Sequence, residues 1–345
     1  MDFTIKTKQE ANLGVVLVGF GYWGKNLSRV IAVAKQCSLK AIIDSDPKAR
    51  ELAKELYPNL EIANNVEAVL TESDIDIVVI ATPVSTHVSI IKKCLTAGKH
   101  VLCEKIISNN EEEVIALFDL AKSEKLILKE GFTFLHNKAV EYVKQAIYDK
   151  SFGKIYYCTF KRTGLGPYRS DVNVLYDLAP HDLSMLIYWF GQPAWVSGIS
   201  RCIINENIAD VVFFQLGYTN EMIVNIQVSW INPMKQRVVE IIGEKQMLIF
   251  DDVSNTERIK IIKTGDDYNK NISDFGSFQL SVKDGDIIIP NIVYTEPLKI
   301  EFDSFIEQVR VGQHDEKDAE MSIAVVRTLT AISKSLNNES QKIDV

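Results

Sequence analysis

Short apolar runs alternate with helical segments through the first 130 residues, and this alternation limits the fold more than any other feature of the chain. The runs are GVVLVGFG (14–21), LKAIID (39–44), IDIVVIATP (75–83), KHVLCEK (99–105) and LILKEG (126–131). Each has strand length, and their Val and Ile content is continuous rather than alternating, as in parallel strands buried on both faces. Between them GKNLSRVIAVA, DPKARELAKELY, HVSIIKKCLTAG and EEEVIALFDLAKSE carry helical spacing. Asp46-Pro47 is a helix start and Gly98 a helix stop. Strand and helix at this interval predict βαβ units in a doubly wound parallel sheet.

The pattern changes after a helix predicted over 138–149. GKIYYCTFKRTG, AWVSGISRCII, ADVVFFQLGYT, MIVNIQVSWI, RVVEIIGEKQMLIFDD and ERIKIIKT read as strands. Several alternate apolar with polar residues, as a half-exposed antiparallel sheet does. One helix is expected from about Pro180 to Phe190, and a pair over roughly 297–312 and 318–337; the polar stretch 264–275 is expected to be a loop. The chain thus divides into a doubly wound α/β domain over 1–134 and an α+β domain with a large open, mostly antiparallel sheet over 135–345.

Composition narrows the class. A net charge of −8, with no basic run of five residues, argues against nucleic acid or an anionic membrane as partner. No apolar stretch approaches a membrane span and the first residues lack a secretory apolar block, so a cytoplasmic location is expected. Five scattered cysteines without a C-x-x-C pair disfavour both a disulfide scaffold and a zinc site.

Gly19-Phe20-Gly21-Tyr22-Trp23-Gly24 is G-x-G-x-x-G between a strand and a helix. In that context Gly19 allows the turn, Gly21 the approach of a pyrophosphate, and Gly24 the packing of helix on strand, while the helix N-terminus offers N–H groups to phosphate. Tyr22 and Trp23 belong to the same loop. Asp44, 20 residues beyond Gly24 at the end of the second strand, is placed for an adenosine ribose. With Asp46 it would repel a 2′-phosphate, so NAD is expected rather than NADP. A bland alternative makes Asp44 a helix cap, for which Asp46 is the better placed. Thr82, Pro83 and His87, past the third strand, are expected to border the cofactor.

Glu104 and Lys105 follow the fourth strand, and ligands of doubly wound sheets bind beyond the carboxyl ends of strands. Lys105 there could bond a substrate hydroxyl and the nicotinamide ribose and stabilise a developing alkoxide, with Glu104 holding it; a surface salt bridge is the alternative. Asp177 and His181 are four apart, which on helical backbone is one face; with Pro180 in the first turn Asp177 would instead lie just before the helix and approach the imidazole from there, and either way a carboxylate beside the imidazole raises its basicity and orients it. An alcohol oxidation needs such a base. His100, His136 and His314 show no comparable grouping, and no metal is expected.

These segments together resemble the Gfo/Idh/MocA family of oxidoreductases: GFGYWGKN (19–26), ATPVSTH (81–87), HVLCEKI (100–106), the Asp177-x-x-x-His181 segment and EPLKIEFDSFIEQVRVG near the end. The resemblance runs from about 12 to 338 and implies a Rossmann domain and a C-terminal domain whose open sheet serves in oligomerisation, giving a homodimer or homotetramer. The family's E-K-P motif falls on Glu104-Lys105-Ile106, where isoleucine replaces proline, and its histidine on His181. Residues 162–182 most resemble members that oxidise the C-3 hydroxyl of UDP-GlcNAc or its uronic acid ahead of an aminotransferase, in lipid A or surface-polysaccharide synthesis. That resemblance implies substrate contacts from Arg162, Tyr168, Arg169 and Asn173, with Asn137, Lys105 and His181. A 3-ketosugar reductase, an inositol or free-hexose dehydrogenase, and a non-catalytic sensor are the other readings.

Overall fold

A computed structural model describes residues 12–264 and 284–345. They form two compact units, the first built from residues up to His136 with Glu296–Val326, the second from Asn137–Thr295 with Arg327–Val345.

In the first unit β1 (Leu13–Val18), β2 (Cys37–Ile43), β3 (Glu61–Ala63), β4 (Ile77–Ile80), β5 (His100–Glu104) and β6 (Leu128–Gly131) make one sheet in the order β3-β2-β1-β4-β5-β6. Every pairing in it is parallel. That order reverses direction at β1/β4, where open α/β sheets leave a crevice beyond their strand ends. The connections carry α1 (Tyr22–Val33), α2 (Pro47–Leu56), the single turn α3 (Glu67–Leu70), α4 (Val84–Thr96) and α5 (Glu111–Ser123). The sheet is buried on both faces. Val16, Val18, Val78 and Ile80 pack with Ile91, Leu95, Val114 and Leu117 of α4 and α5. Val15, Leu17, Ile77 and Val79 pack on the other side with Leu27 and Ile31 of α1.

The same second core contains Leu298, Phe302, Phe305, Ile306 and Val309 of α8 (Pro297–Val311). Sequence had put this helix with the C-terminal domain after one boundary at 134/135. Its apolar stripe instead completes the core of the first unit, and the division between units falls within α9 (Glu316–Asn337).

The second unit holds α6 (Lys138–Tyr148), β7 (Ile155–Leu165), α7 (Val174–Phe190), β8 (Trp195–Arg201), β9 (Val211–Gly217), β10 (Ile223–Ser229), β11 (Ile231–Gly243), β12 (Gln246–Asp251), β13 (Ile259–Thr264), β14 (Asp284–Ile288) and β15 (Ile343–Asp344). Its sheet runs β14-β13-β12-β11-β7-β10-β9-β8-β15 and is antiparallel except where β10 pairs with β7. One face is buried, with Trp189 of α7 against Phe160 at 6.1 Å between ring centroids and its indole N–H on the Val140 carbonyl at 3.0 Å. Ile199, Phe213 and Ile223 stand exposed on these strands.

Helix α7 begins at Val174, not near Pro180 as expected. Asn173 caps it by accepting from the Tyr176 N–H at 3.2 Å, which starts the helix early enough to carry Pro180 inside. Beyond Thr264, the expected loop lies outside the described residues.

Candidate active site

The glycine loop between β1 and α1 is shaped by close backbone approaches. Gly19 has φ +95°, and a Cβ there would lie 2.5 Å from the Ala81 carbonyl oxygen. A Cβ on Gly24 would lie 2.0 Å from the Gly19 oxygen, so α1 sits on the turn with no room for a methyl group. At Gly21 a Cβ would meet nothing within 4 Å. Gly21 is also the N-cap of α1 and offers no side chain to the first-turn N–H groups. An open approach beside uncapped helix N–H groups suits a pyrophosphate.

Asp44 is fixed from two sides, its Oδ2 accepting from the Phe20 N–H at 2.6 Å and its Oδ1 from the Asp46 N–H at 2.8 Å. Each carboxylate oxygen keeps lone-pair capacity for a ribose diol. Asp46 is the cap, accepting from the Lys48 N–H at 3.0 Å. The loop residues therefore fit NAD: a cradle at Gly21, and an acid rather than a cation at the ribose position.

Thr82 and Thr86 hydroxyls bond each other at 2.7 Å, and Pro83 caps α4. His87, expected at the cofactor, is 1% exposed with Nδ1 2.8 Å from the Ile106 carbonyl and Nε2 2.8 Å from the Thr82 carbonyl. Both ring nitrogens are taken by backbone, so His87 ties the loop after β4 to the segment after Lys105. It braces these loops instead of reaching a ligand.

Glu104 ends β5 and Lys105 follows it. The Lys105–Ile106 peptide is cis, and Ile106 is buried. The Trp23 indole N–H donates to Glu104 Oε1, so the glycine loop is bonded to the strand end that carries the lysine. Burial pushes the Glu104 carboxyl up to about 8, and the like charge of Glu301 adds to it, while Lys105 and Trp23 work against both. Two further acids are buried nearby in sequence or space. Glu130 accepts from the Ile107 N–H at 3.2 Å and is raised to about 7 by burial. Glu301 of α8 accepts from the Thr133 hydroxyl at 2.8 Å and is likewise raised to about 7 by burial.

In the second unit Asp177 and His181 lie one turn apart in α7. Asp177 accepts from the Trp230 indole N–H at 3.0 Å and from Arg169 at 3.1 Å. Arg169 also binds Asp171 at 2.6 Å. Tyr168 is half exposed. Arg162 departs from expectation: it is 4% exposed and grips Asp182 with Nε and Nη2 at 2.8–3.0 Å. A guanidinium spent on a buried carboxylate is a scaffold for α7 beneath His181, not a hand held out to substrate. Asn173 is likewise absorbed as the cap of α7. Asn137 caps α6 through Ala139 N–H at 2.9 Å and donates to Asp252 Oδ1 at 3.2 Å, while Arg237 holds Asp252 Oδ2 at 3.2 Å.

Trp230, Asp252, Arg237, Glu130 and Glu301 were not singled out from sequence. Two of them left a signal. Glu130 and Lys129 are charges inside an apolar strand, and Glu301 stands on the stripe of Leu298, Phe302 and Phe305, where an apolar residue is the rule.

Comparison with known proteins agrees with this geometry. Residues 13–132 match a family described as "Oxidoreductase family, NAD-binding Rossmann fold", and residues 140–249 match the GFO/IDH/MocA C-terminal domain. The chain belongs to the Gfo/Idh/MocA family. It is therefore an oxidoreductase, and its cofactor is NAD. UDP-N-acetylglucosamine 3-dehydrogenase of Acidithiobacillus ferrooxidans is 28% identical over 248 residues, covering 70% of this chain and 75% of that protein. Inositol 2-dehydrogenase of Rhizobium meliloti is 25% identical over 342 residues, covering 94% and 97%. A solved structure of the A. ferrooxidans enzyme superposes with a TM-score of 0.79 at 22% identity, over 96% of this chain and 99% of that one, and so shares the fold.

Proposed function

We propose that this Gfo/Idh/MocA member oxidises the C-3 hydroxyl of a nucleotide-linked N-acetylhexosamine, UDP-GlcNAc in the first instance, to the 3-keto sugar. The observation that carries the reading is the Trp23–Glu104 bond, which links the loop shaped for a pyrophosphate to the strand end bearing Lys105. When bound, NAD supplies a nicotinamide ring able to accept a hydride. Gly19, Gly21, Tyr22, Trp23 and Gly24 would hold its pyrophosphate and Asp44 its ribose, with Thr82 and Pro83 lining the approach. Lys105 donates from its ammonium to the reacting hydroxyl oxygen and stabilises the charge that grows there as the C–H bond breaks. His181 takes the hydroxyl proton on a ring nitrogen, and Asp177, one turn upstream, favours the imidazolium that results. Tyr168, Arg169 and Asn137 are the proposed substrate contacts.

A ketone product in equilibrium with NADH needs removal, which an aminotransferase acting downstream would provide. A cytoplasmic homodimer or homotetramer completes the proposal, with the exposed Ile199, Phe213 and Ile223 as the surface for a second copy. One observation favours a second reading, oxidation of an inositol or free hexose: the commitment of Arg162 to Asp182 removes one of the two arginines expected at a pyrophosphate, and the inositol relative matches along nearly the whole chain.

The test is NADH formation, read by its near-ultraviolet absorbance, from NAD and UDP-GlcNAc with a ketone trap or aminotransferase present. Signal lost in both Lys105→Ala and His181→Asn, with NAD still bound, supports the proposal. Near wild-type turnover in His181→Asn refutes the assignment of the base, and activity only with inositol or free hexoses moves the substrate to the second reading.

A further inference from the structure

The peptide group joining Ile106 to Ile107 is held at both edges by buried side chains of the first unit. Its carbonyl oxygen lies 2.8 Å from Nδ1 of His87, and its N–H donates to Oε1 of Glu130 at 3.2 Å. His87 is 1% exposed and Glu130 5%. One comes from α4 and the other from β6. The group they grip begins one residue after Lys105, and a side chain is only as well placed as the backbone that carries it.

His87 makes a second contact, with Nε2 2.8 Å from the Thr82 carbonyl oxygen. A carbonyl oxygen only accepts, so each ring nitrogen must donate to satisfy its partner. A neutral imidazole carries one N–H. It would leave the other nitrogen's lone pair facing a carbonyl at hydrogen-bond distance. The imidazolium carries two N–H groups, and its bonds are charge-assisted, the stronger kind. Two receiving oxygens are what make a buried cation tolerable here.

The charged groups around this peptide come from its own segment, two strands and one helix. Lys105 brings a like charge to the imidazolium from the preceding residue, and Glu104 ends β5 before it. Glu130 sits on β6, opposite Cys103 of β5. Glu113 of α5 accepts from the Ser108 hydroxyl, and the Thr82 hydroxyl is bonded to that of Thr86. A carboxyl oxygen accepts from an N–H whether or not the group is ionised, so the grip of Glu130 does not depend on the proton that burial favours.

We propose that His87, as an imidazolium, and Glu130 are positioning residues for Lys105, together clamping the peptide group that follows it. This rests on the reading of Lys105 as the group that touches substrate. A trans peptide points its C=O and N–H in opposite directions, so the two grips pull on one planar unit from opposite sides. That unit cannot turn without breaking one of them. His87 also joins it to the Thr82 carbonyl after β4, which registers the lysine against the loop proposed to line the cofactor.

The first measurement is nitrogen NMR of protein labelled at its histidine rings, at neutral pH without NAD or substrate. The five histidines are assigned by replacing each in turn. Both ring nitrogens of His87 should show the shift and the attached proton of a protonated nitrogen. The second measurement follows the Lys105 side-chain carbon next to the amine in the same ligand-free protein, assigned by Lys105→Arg. Glu130→Met removes the acceptor and should move that resonance, and Glu130→Gln, which keeps a carbonyl oxygen, should bring it most of the way back. His87→Phe keeps a ring, removes both donors and should move it too. With substrate, kcat should fall about tenfold or more in Glu130→Met and recover in large part in Glu130→Gln. Should His87→Phe fail to fold, the two Glu130 variants carry the positioning test, and His87 is the signal left once the other four histidines are assigned.

An unprotonated ring nitrogen in His87 overturns the imidazolium. A Lys105 resonance unmoved in Glu130→Met overturns the clamp, as does a movement that Glu130→Gln fails to reverse. A moved resonance with unchanged kcat overturns the positioning role. Full turnover in Lys105→Ala overturns that role through the reading it rests on, and it is recognisable because both resonance measurements are made without turnover.

Discussion

Glu130 offers a direct measure of what burying an acid costs this fold. It is 5% exposed on β6, and burial raises its carboxyl from the ordinary 4.5 to about 7. Because its folded value lies above its unfolded one, the protonated form stabilises the native state fully below 4.5. That contribution is lost as pH rises through 7. At about 1.4 kcal/mol per pH unit the whole displacement is worth roughly 3 kcal/mol, most of which disappears between about pH 5 and pH 9. Glu130→Gln cannot ionise and escapes this loss. Its amide disturbs the bond from Ile107 by an amount that does not depend on pH. Glu104 and Glu301 titrate in both proteins and cancel in the comparison. Urea unfolding followed by circular dichroism at the two pH values should therefore show the variant gaining roughly 2–3 kcal/mol on wild type as pH rises. If the difference between the two proteins is the same at both ends, to within about 0.5 kcal/mol, Glu130 is not held protonated and the reasoning fails.

Two further outcomes follow from the geometry. Gly21→Ala meets nothing within 4 Å and should leave thermal stability unchanged while weakening NAD binding by calorimetry, whereas Gly24→Ala, with its Cβ 2.0 Å from a carbonyl oxygen, should destabilise the first unit even without NAD. Arg162→Ala leaves Asp182 buried without its cation and should cost about 3–5 kcal/mol in urea unfolding, with Arg162→Met, Asp182→Leu recovering most of it; a variant of full stability and raised KM for the nucleotide sugar would return Arg162 to the substrate.

Most of the fold was legible in the sequence because it is written in local patterns. The strands of the first sheet are apolar runs that need burial on both faces, and the glycine loop carries its own geometric demands. What escaped was decided by partners far along the chain. The start of α7 hung on whether Asn173 or Pro180 governs. Proline tolerates an interior position once its missing N–H is the only bond lost, and the capping bond from Tyr176 settles the start at Val174. Arg162 looked like a ligand because arginines near a sugar-nucleotide motif suit phosphate. Nothing local says that Asp182, 20 residues later, faces it from inside. His87 was placed near the right loops, but which atoms its ring would meet depended on Ile106 folding back against Thr82.

Helix α8 shows the same limit and something more. Its stripe of Leu298, Phe302, Phe305, Ile306 and Val309 announced an amphipathic helix, yet no local signal tells such a stripe which of two cores to fill. The stripe was also interrupted by Glu301, and an acid is kept off an apolar face unless something compensates it. Thr133 compensates one oxygen. The other oxygen is left over, buried and without a hydrogen-bond partner among the described residues. A helix supplied from the end of the chain thus brings a buried acid to Thr133, just past the last strand of the parallel sheet. The sequence pattern marked the residue as an exception, and only the three-dimensional packing gives that exception a neighbour to act on.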